Sequence, residues 1–439
     1  MLKTIGARFL NLQFKKYNFY SEKYNLSFLL DPPPCLNEFF PIRKRGFFQV
    51  SEFSISYLRR KFNSGLNRFS RKFILQRVFG IPYELQLVPT NACNLKCRAC
   101  PKTVYETDNR HLHPDIYDKV KREIFPHIRI LNMQGLGEPM LSPLFPKMIE
   151  DAMKHKLKIR FVTNATRMES RIMKKIFNAG ADVTISLDGA VAQTHENARP
   201  GSDFDLVLKA CETFHSLKRE NSQNDFHLHI NTVVTTRNVQ ELEDILDIGI
   251  EYGVSSFQLI NPGMGERDDE YARDVIVRHP ELLRKKMPAL IRKSEQHGIF
   301  LQYPDFAAPH DPEQKRNQEQ SPGNDSIGEK IFPGVCMDPW RLVYIDVDGW
   351  VRPCCRAIWI GMGNIMERPF REIWNNEHYR KLRGCINTDN PPDFCRTCTL
   401  PWGITLGNER FPEELEKRGV TLPPAPVIGV KDPRKEQES

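Results

Sequence analysis

The sequence predicts an α/β fold: a parallel sheet in which six strand-helix units form an open, partial barrel, followed by a small cysteine-rich α+β module. Three observations predict it. Short β-rich runs alternate with helical stripes from Glu84 to about residue 296, a polar stretch interrupts the alternation, and a hairpin signal with six of the eleven cysteines comes after it. Alternation of this kind implies parallel strands joined by right-handed crossovers.

Residues 1–80 form a basic extension with no clean periodicity, marked by Pro32-Pro33-Pro34 and the basic aromatic run Tyr57-Leu58-Arg59-Arg60-Lys61-Phe62. A solvated arm, a few packed helical turns, or a peripheral membrane or protein contact all suit it. Over residues 81–300 the expected strands are Glu84–Pro89, Ile130–Gln134, Ile159–Thr163, Val183–Leu187, His227–Val234 and Phe257–Ile260. Between them lie stripes such as Phe204, Val207, Leu208, Cys211, Phe214 and Leu217, the spacing of an amphipathic helix, and this places Cys211 in a core. Six units suit a partial barrel better than a closed one of eight.

A helix over Glu281–Gln296 precedes a polar linker, 301–334. In the module, 335–405, Val343-Tyr344-Ile345-Asp346 and Trp350-Val351-Arg352 flank Asp348-Gly349, the chemistry of a tight hairpin turn, and a helix is expected over Phe370–Leu382. A charged tail, 406–439, ends the chain.

At 439 residues the chain is too long for one small core. Its 40% hydrophobic and 27% charged residues are those of a soluble globular protein, with no apolar run of the ~18 residues a membrane span needs and no secretory signal, so a cytoplasmic protein is expected. Much of the net charge of +8 sits in the N-terminal segment and none on a recognisable reading helix, so no nucleic acid is expected as a partner. The cysteines stand in tight clusters, which favours metal or cluster ligation over a secreted disulfide framework.

Cys93-x-x-x-Cys97-x-x-Cys100 follows the first predicted strand. A structural zinc site wants four ligands, and no fourth Cys or His with the usual pairing lies near; three thiolates suit a cubane with one iron left open. This spacing in this place resembles the hallmark of the radical S-adenosylmethionine (radical SAM) superfamily. Gln134-Gly135-Leu136-Gly137-Glu138-Pro139 resembles the superfamily's Gly-Gly-Glu-Pro segment, with Leu136 in place of a glycine. The resemblance implies that this segment binds the amino group of the cofactor methionine. Thr163-Asn164-Ala165-Thr166 and Ser186-Leu187-Asp188-Gly189 resemble further cofactor-wall motifs, and Arg199 stands where relatives place a partner for the cofactor carboxylate. The cofactor residues implied are thus Gly135, Gly137, Glu138, Thr163, Asn164, Ser186, Asp188 and Arg199. Strand ends on one face of a parallel barrel converge, which makes their joint order informative; singly, Asn164, Ser186 and Asp188 also suit helix caps.

Downstream, Cys336-Met337-Asp338-Pro339-Trp340, the Gly349-x-x-x-x-Cys354 hairpin, Gly363-Asn364-Ile365, Glu372-Ile373-Trp374-Asn375 and Cys395-x-x-Cys398 resemble the SPASM/twitch auxiliary modules of the same superfamily. Four thiolates complete a 4Fe-4S cluster, and Cys336, Cys354, Cys395 and Cys398 are the expected set. Cys355 and Cys385 remain as buried thiols, substitute ligands or hydrogen-atom donors. A zinc ribbon is the alternative for this module.

The resemblance implies an enzyme holding a 4Fe-4S cluster at the first site, S-adenosylmethionine and a second 4Fe-4S auxiliary cluster. Such an enzyme cleaves S-adenosylmethionine reductively to a 5′-deoxyadenosyl radical that takes hydrogen from a substrate carbon. A flavodoxin- or ferredoxin-type reductant is implied. The expected substrate is a small molecule such as a carbohydrate or aminocyclitol, which is oxidised or epimerised. A maturase of a ribosomally made peptide or protein is the alternative, and a non-catalytic iron-sulfur or zinc protein a further one.

Overall fold

In a computed structural model of the chain, the structure describes residues 52–103, 108–261, 270–304, 307, 336–355, 357, 358, 360–388, 391, 392 and 395. The chain divides into two compact units at Asn63/Ser64. The tail, nearly all of the linker and Cys398 lie outside the described residues, as do residues 1–51. Within the extension, α1 runs from Glu52 to Lys72. Among the described residues no helix is long and apolar enough to cross a membrane.

The second unit is built on one ten-stranded sheet in the order β10-β9-β8-β1-β2-β3-β4-β5-β6-β7. Strands β1 (Glu84–Leu87), β2 (Ile130–Met133), β3 (Lys158–Thr163), β4 (Asp182–Ser186), β5 (His227–Val233) and β6 (Ser256–Ile260) are the six expected from sequence, and each pairs with its neighbour in parallel. Helices α2 (Pro114–Ile124), α3 (Phe145–Lys154), α4 (Ser170–Asn178), α5 (Ala192–Ala198), α6 (Phe204–Glu220) and α7 (Leu242–Glu251) supply the crossovers. Their apolar stripes pack against Leu131, Ile159, Phe161, Val183, Ile185 and Ile230 to make one core. The alternate strand positions carry Asn132, Arg160, Thr184, His229, Asn231 and Gln258, polar and half-buried, so the other sheet face is a polar lining. Cys211 is fully buried on α6, as its stripe predicts, and burial pushes its thiol up to about 12.

Three features go beyond the expectation or refine it. A seventh strand, β7 (Phe300–Gln302), follows α8 (Glu270–Asp274) and α9 (Pro280–Gln296) and pairs with β6. At three residues it is too short to show an alternation. The cysteine-rich module does not stand apart from the barrel. After α10 (Asp338–Arg341), β8 (Leu342–Ile345) pairs in parallel with β1, Glu84 opposite Leu342, and β9 (Trp350–Arg352) and β10 (Gly363–Asn364) continue the same sheet antiparallel. This covers an edge of β1 that would otherwise present unpaired backbone. Finally, the helix expected over Phe370–Leu382 is two, α11 (Phe370–Trp374) and α12 (Glu377–Cys385), because Asn376 caps the second by accepting a hydrogen bond from Tyr379 N.

The β8–β9 hairpin turns where Asp348-Gly349 predicts it, with Gly349 at φ +82°. One Asp346 carboxylate oxygen accepts hydrogen bonds from the backbone N–H groups of Asp348 and Trp350, both at 3.0 Å. The other takes a bidentate grip from Arg352 at 2.8 and 2.6 Å. Both side chains of this pair are essentially inaccessible, which leaves neither charge unmatched.

Candidate functional site

The loop carrying Cys93, Cys97 and Cys100 leaves the C-terminal end of β1, and its three thiols are each half-buried. Its backbone is tied down on two sides. On one, Lys96 N and Arg98 N donate to Pro200 O and Ala198 O at 3.0 Å, while Arg98 Nε reaches Asn197 O at 2.9 Å. On the other, Glu138 N donates to Ala92 O at 2.8 Å, and the Lys102 ammonium binds Asn91 O. Gly137 lies so close to this loop that an added Cβ would sit 2.4 Å from Thr90 O and 2.5 Å from Ala92 O. Gly135 has the same need against Val88. Both glycines therefore have a packing reason, independent of any ligand.

Glu138 is buried and joins the ends of β2 and β3. One of its carboxylate oxygens accepts from Thr163 Oγ1 at 2.8 Å and Met140 N at 3.3 Å, and the other from Asn164 N at 2.8 Å. Burial pushes this carboxyl up against the pull of those three donors. Its oxygens face protein, so contact between this segment and a ligand falls to backbone groups. Asn164 in turn reaches Asn94, inside the thiol loop, at 3.1 Å, and Asn94 Nδ2 donates to Thr166 Oγ1 at 2.8 Å. Glu138 caps the short turn Pro139–Leu141 through its bond from Met140 N, but capping of the following helices does not explain Asn164, Ser186 or Asp188. The N-caps of α4 and α5 are Glu169 and Val191, and neither makes a side-chain cap.

At the end of β4, the Asp188 carboxylate pairs with Arg199 Nε at 2.7 Å and accepts from Val233 N at 2.7 Å, stitching β4 to β5. The two charged side chains are 3% and 11% exposed, so each depends on the other. Arg199 then points Nη1 at Cys97 Sγ, 3.6 Å away. Fully buried His195 accepts from Asp188 N at 3.3 Å on Nδ1, which puts its proton on Nε2, where Ser202 Oγ lies at 3.0 Å. Burial, aided by Arg199, brings His195 down to about 4 and keeps it neutral. Ser186 is buried at the same strand end.

The structure therefore brings Cys93, Cys97, Cys100, Glu138, Thr163, Asn164, Asp188 and Arg199 to one rim, the C-terminal ends of β1 to β5. Sequence reasoning missed Asn94, His195 and Asn238. The last donates from Nδ2 to Asp188 O and to Val233 O, both at 2.9 Å. Single polar residues without motif spacing give no signal.

The donor chemistry fits an iron-sulfur cluster. Burial pushes the Cys97 thiol up to about 11 and raises Cys100 as well, with Arg199 opposing the rise at Cys97. Three thiolates in this setting need further positive charge, which ligated iron supplies.

In the module, both the N–H and the C=O of Cys336 are bound by the Asn387 side chain, at 2.9 and 3.0 Å. Cys354 and Cys395 are buried in the main core. Cys355 turns to the other side, against Val88, Tyr344 and Val347, and Cys385 closes α12 with its thiol 3.5 Å from Leu382 O. Cys398 lies outside the described residues.

The family profile of the radical SAM superfamily matches residues 87–249, and that of the SPASM iron-sulfur cluster-binding domain matches residues 336–399. The chain belongs to the radical SAM superfamily and carries a SPASM domain. Its cofactors are accordingly a 4Fe-4S cluster and S-adenosylmethionine in the radical SAM domain, with auxiliary iron-sulfur in the SPASM domain. It is similar to the AdoMet-dependent heme synthase of Methanosarcina barkeri, 28% identical over 313 residues that cover 67% of this chain and 82% of that protein. The mycofactocin maturase MftC of Mycolicibacterium smegmatis is 29% identical over 185 residues, covering 41% of this chain and 45% of that one. Streptococcus suis SuiB, in its crystal structure bound to precursor peptide SuiA, shares the fold with a TM-score of 0.53 at 14% identity, over 84% of this chain and 79% of that one.

Proposed function

We propose that this protein is a radical SAM maturase, which takes hydrogen from a carbon of a peptide substrate. The observation that carries the catalytic part is the thiol loop, locked to the strand ends of β1 to β5 by Glu138, Asn164 and the Asp188–Arg199 pair. In this reading Cys93, Cys97 and Cys100 hold the first cluster and leave one iron for the cofactor. When bound, cluster and S-adenosylmethionine supply a one-electron reduction and a carbon radical. Arg199 orients Cys97 and places positive charge beside it, while Asp188 holds Arg199 and neutral His195 holds the Asp188 backbone. The backbone at Gly135–Gly137 and the groups at Thr163, Asn164 and Ser186 wall the cofactor, and the polar lining of the sheet receives the substrate. Cys336, Cys354, Cys395 and Cys398 hold one auxiliary cluster, and the enzyme's partner is a flavodoxin- or ferredoxin-type reductant in the cytoplasm.

The peptide reading takes the place of the expected carbohydrate or aminocyclitol because the relatives point elsewhere: one is named a mycofactocin maturase, and a structural neighbour holds a precursor peptide. A cofactor substrate is the second reading, favoured by the 82% coverage of the heme synthase. The test is 5′-deoxyadenosine formation by anaerobically reconstituted protein with S-adenosylmethionine and dithionite, to which size-fractionated cell extract is added. Stimulation by a fraction that protease treatment destroys supports the maturase. Protease-resistant stimulation by the small-molecule fraction supports the cofactor reading, and absence of 5′-deoxyadenosine under every condition overturns both.

A further inference from the structure

The end of α1 and the segment joining it to β1 carry a surface that the radical chemistry does not use. Phe69, Phe73, Ile74 and Phe79 are 38%, 56%, 42% and 53% exposed. Their rings form one group, with Phe69 centred 4.8 Å from Phe73 and 6.2 Å from Phe79. Arg68, Lys72 and Arg77 are exposed among them, and the Lys72 ammonium stands 5.8 Å over the Phe73 ring. From Phe53 to Tyr83 the chain holds seven Lys and Arg and neither Asp nor Glu.

The segment is held in this pose. Trp340 Nε1 donates to Leu75 O at 2.7 Å, Arg383 Nη1 to Gln76 O at 3.1 Å and Trp374 Nε1 to Gly80 O at 3.1 Å, while Asn375 bonds both Val78 N and Val78 O. Arg383, buried over the faces of Trp374 and Tyr379, is held by backbone carbonyls and rings. With the backbone so anchored the four apolar side chains cannot turn inward. Ile74 also occupies φ +47°, a region a β-branched residue avoids, where Gly or Asn would serve a purely structural helix end better.

We propose that Phe69, Phe73, Ile74 and Phe79, ringed by Arg68, Lys72 and Arg77, are a docking face for an anionic lipid bilayer. The face offers hydrocarbon and positive charge and little else, Gln76 being the one exposed neutral polar residue of the stretch from Arg68 to Phe79 apart from the cations and apolar groups. An interfacial segment needs those two components, apolar side chains to sink below the headgroups and cations to meet their phosphates. A specific protein interface would add directional hydrogen bonds. Two copies of this face would repel one another. The face lies before the N-terminal end of β1, whereas the thiol loop follows its C-terminal end, so docking leaves the radical site uncovered. The inference is independent of the substrate assignment.

The experiment is co-sedimentation of the full-length, reconstituted protein with phosphatidylcholine vesicles, with and without phosphatidylglycerol. Binding is expected to the mixed vesicles alone and to weaken with salt. Phe69→Ser/Phe73→Ser/Phe79→Ser and, separately, Arg68→Gln/Lys72→Gln/Arg77→Gln should each lower partitioning by roughly tenfold or more while iron content and circular dichroism stay as in the parent. The charge variant replaces exposed side chains only and keeps the test open should the apolar variant fold poorly. No binding to anionic vesicles, or binding that both variants retain, overturns the proposal. So does patch-dependent capture of an acidic redox protein in the absence of vesicle binding, which would make the occupant a protein.

Discussion

The two ends of the parallel strands differ in how they handle charge. At the N-terminal ends of β3 to β5 the carboxylate is matched by several bases. Asp182 is paired with Lys158 at 2.9 Å, Arg160 at 3.1 Å and His227 at 3.2 Å, and Lys158 also binds Asp225. At the C-terminal ends, Arg199 and Asp188 are buried, His195 is held neutral, and one guanidinium nitrogen turns from its carboxylate toward Cys97. One end is compensated within itself, and the other carries a cation aimed at sulfur. The same strands thus separate stability from chemistry, as parallel barrels do in general.

The largest effect expected from breaking this division is at Gly137. Gly137→Ala forces a Cβ into backbone oxygens of the thiol loop, which cannot yield as a side chain would. We predict a loss of 5′-deoxyadenosine formation of about 100-fold or more, with the far-ultraviolet circular dichroism kept. Unchanged turnover would show that the loop tolerates displacement. Asp182→Asn should do the reverse, costing about 1–3 kcal/mol of stability in urea unfolding and leaving iron content alone. Although burial pushes this carboxyl up, the hydrogen bonds from His227 and Lys158 prevail and hold it well below its ordinary 3.8. Its contribution is therefore complete above that pH and is lost as the pH falls below it, a slope the Asn variant should lack. The smallest effect sharpens the other end. Arg199→Lys keeps the charge but not the planar fork, and the radical-site cluster should fall in midpoint potential by roughly 60 mV, a tenfold change for a one-electron couple. An unshifted potential in an EPR redox titration, with iron content preserved, would show that Arg199 does not address the cluster.

What could be read from sequence was what is local. Six strands and their crossovers showed as periodicity, and Cys93, Cys97 and Cys100 showed as spacing inside one loop. The pairing of Glu84–Leu87 with Leu342–Ile345 spans more than half the chain and leaves no pattern in either segment. The strand at Phe300–Gln302 was too short to register, and Asn375-Asn376 broke a helix whose apolar stripe continues across the gap. At the site, Glu138 and Asp188 were legible by position but not by what they touch. Resemblance pointed Glu138 toward a cofactor, whereas its oxygens are taken up by Thr163, Met140 and Asn164. Asn94 and His195 were invisible because a lone polar residue on a loop or helix face has many ordinary uses.

Whether Cys93, Cys97 and Cys100 hold a cluster of their own is decided by iron and sulfide content, with EPR, of anaerobically reconstituted protein compared with a Cys93→Ala/Cys97→Ala/Cys100→Ala variant, each with and without S-adenosylmethionine. About eight irons are expected in the parent and about four in the variant, with a cofactor-induced spectral change in the parent alone. Equal iron in the two proteins, or a parent that binds zinc without iron, would contradict that assignment.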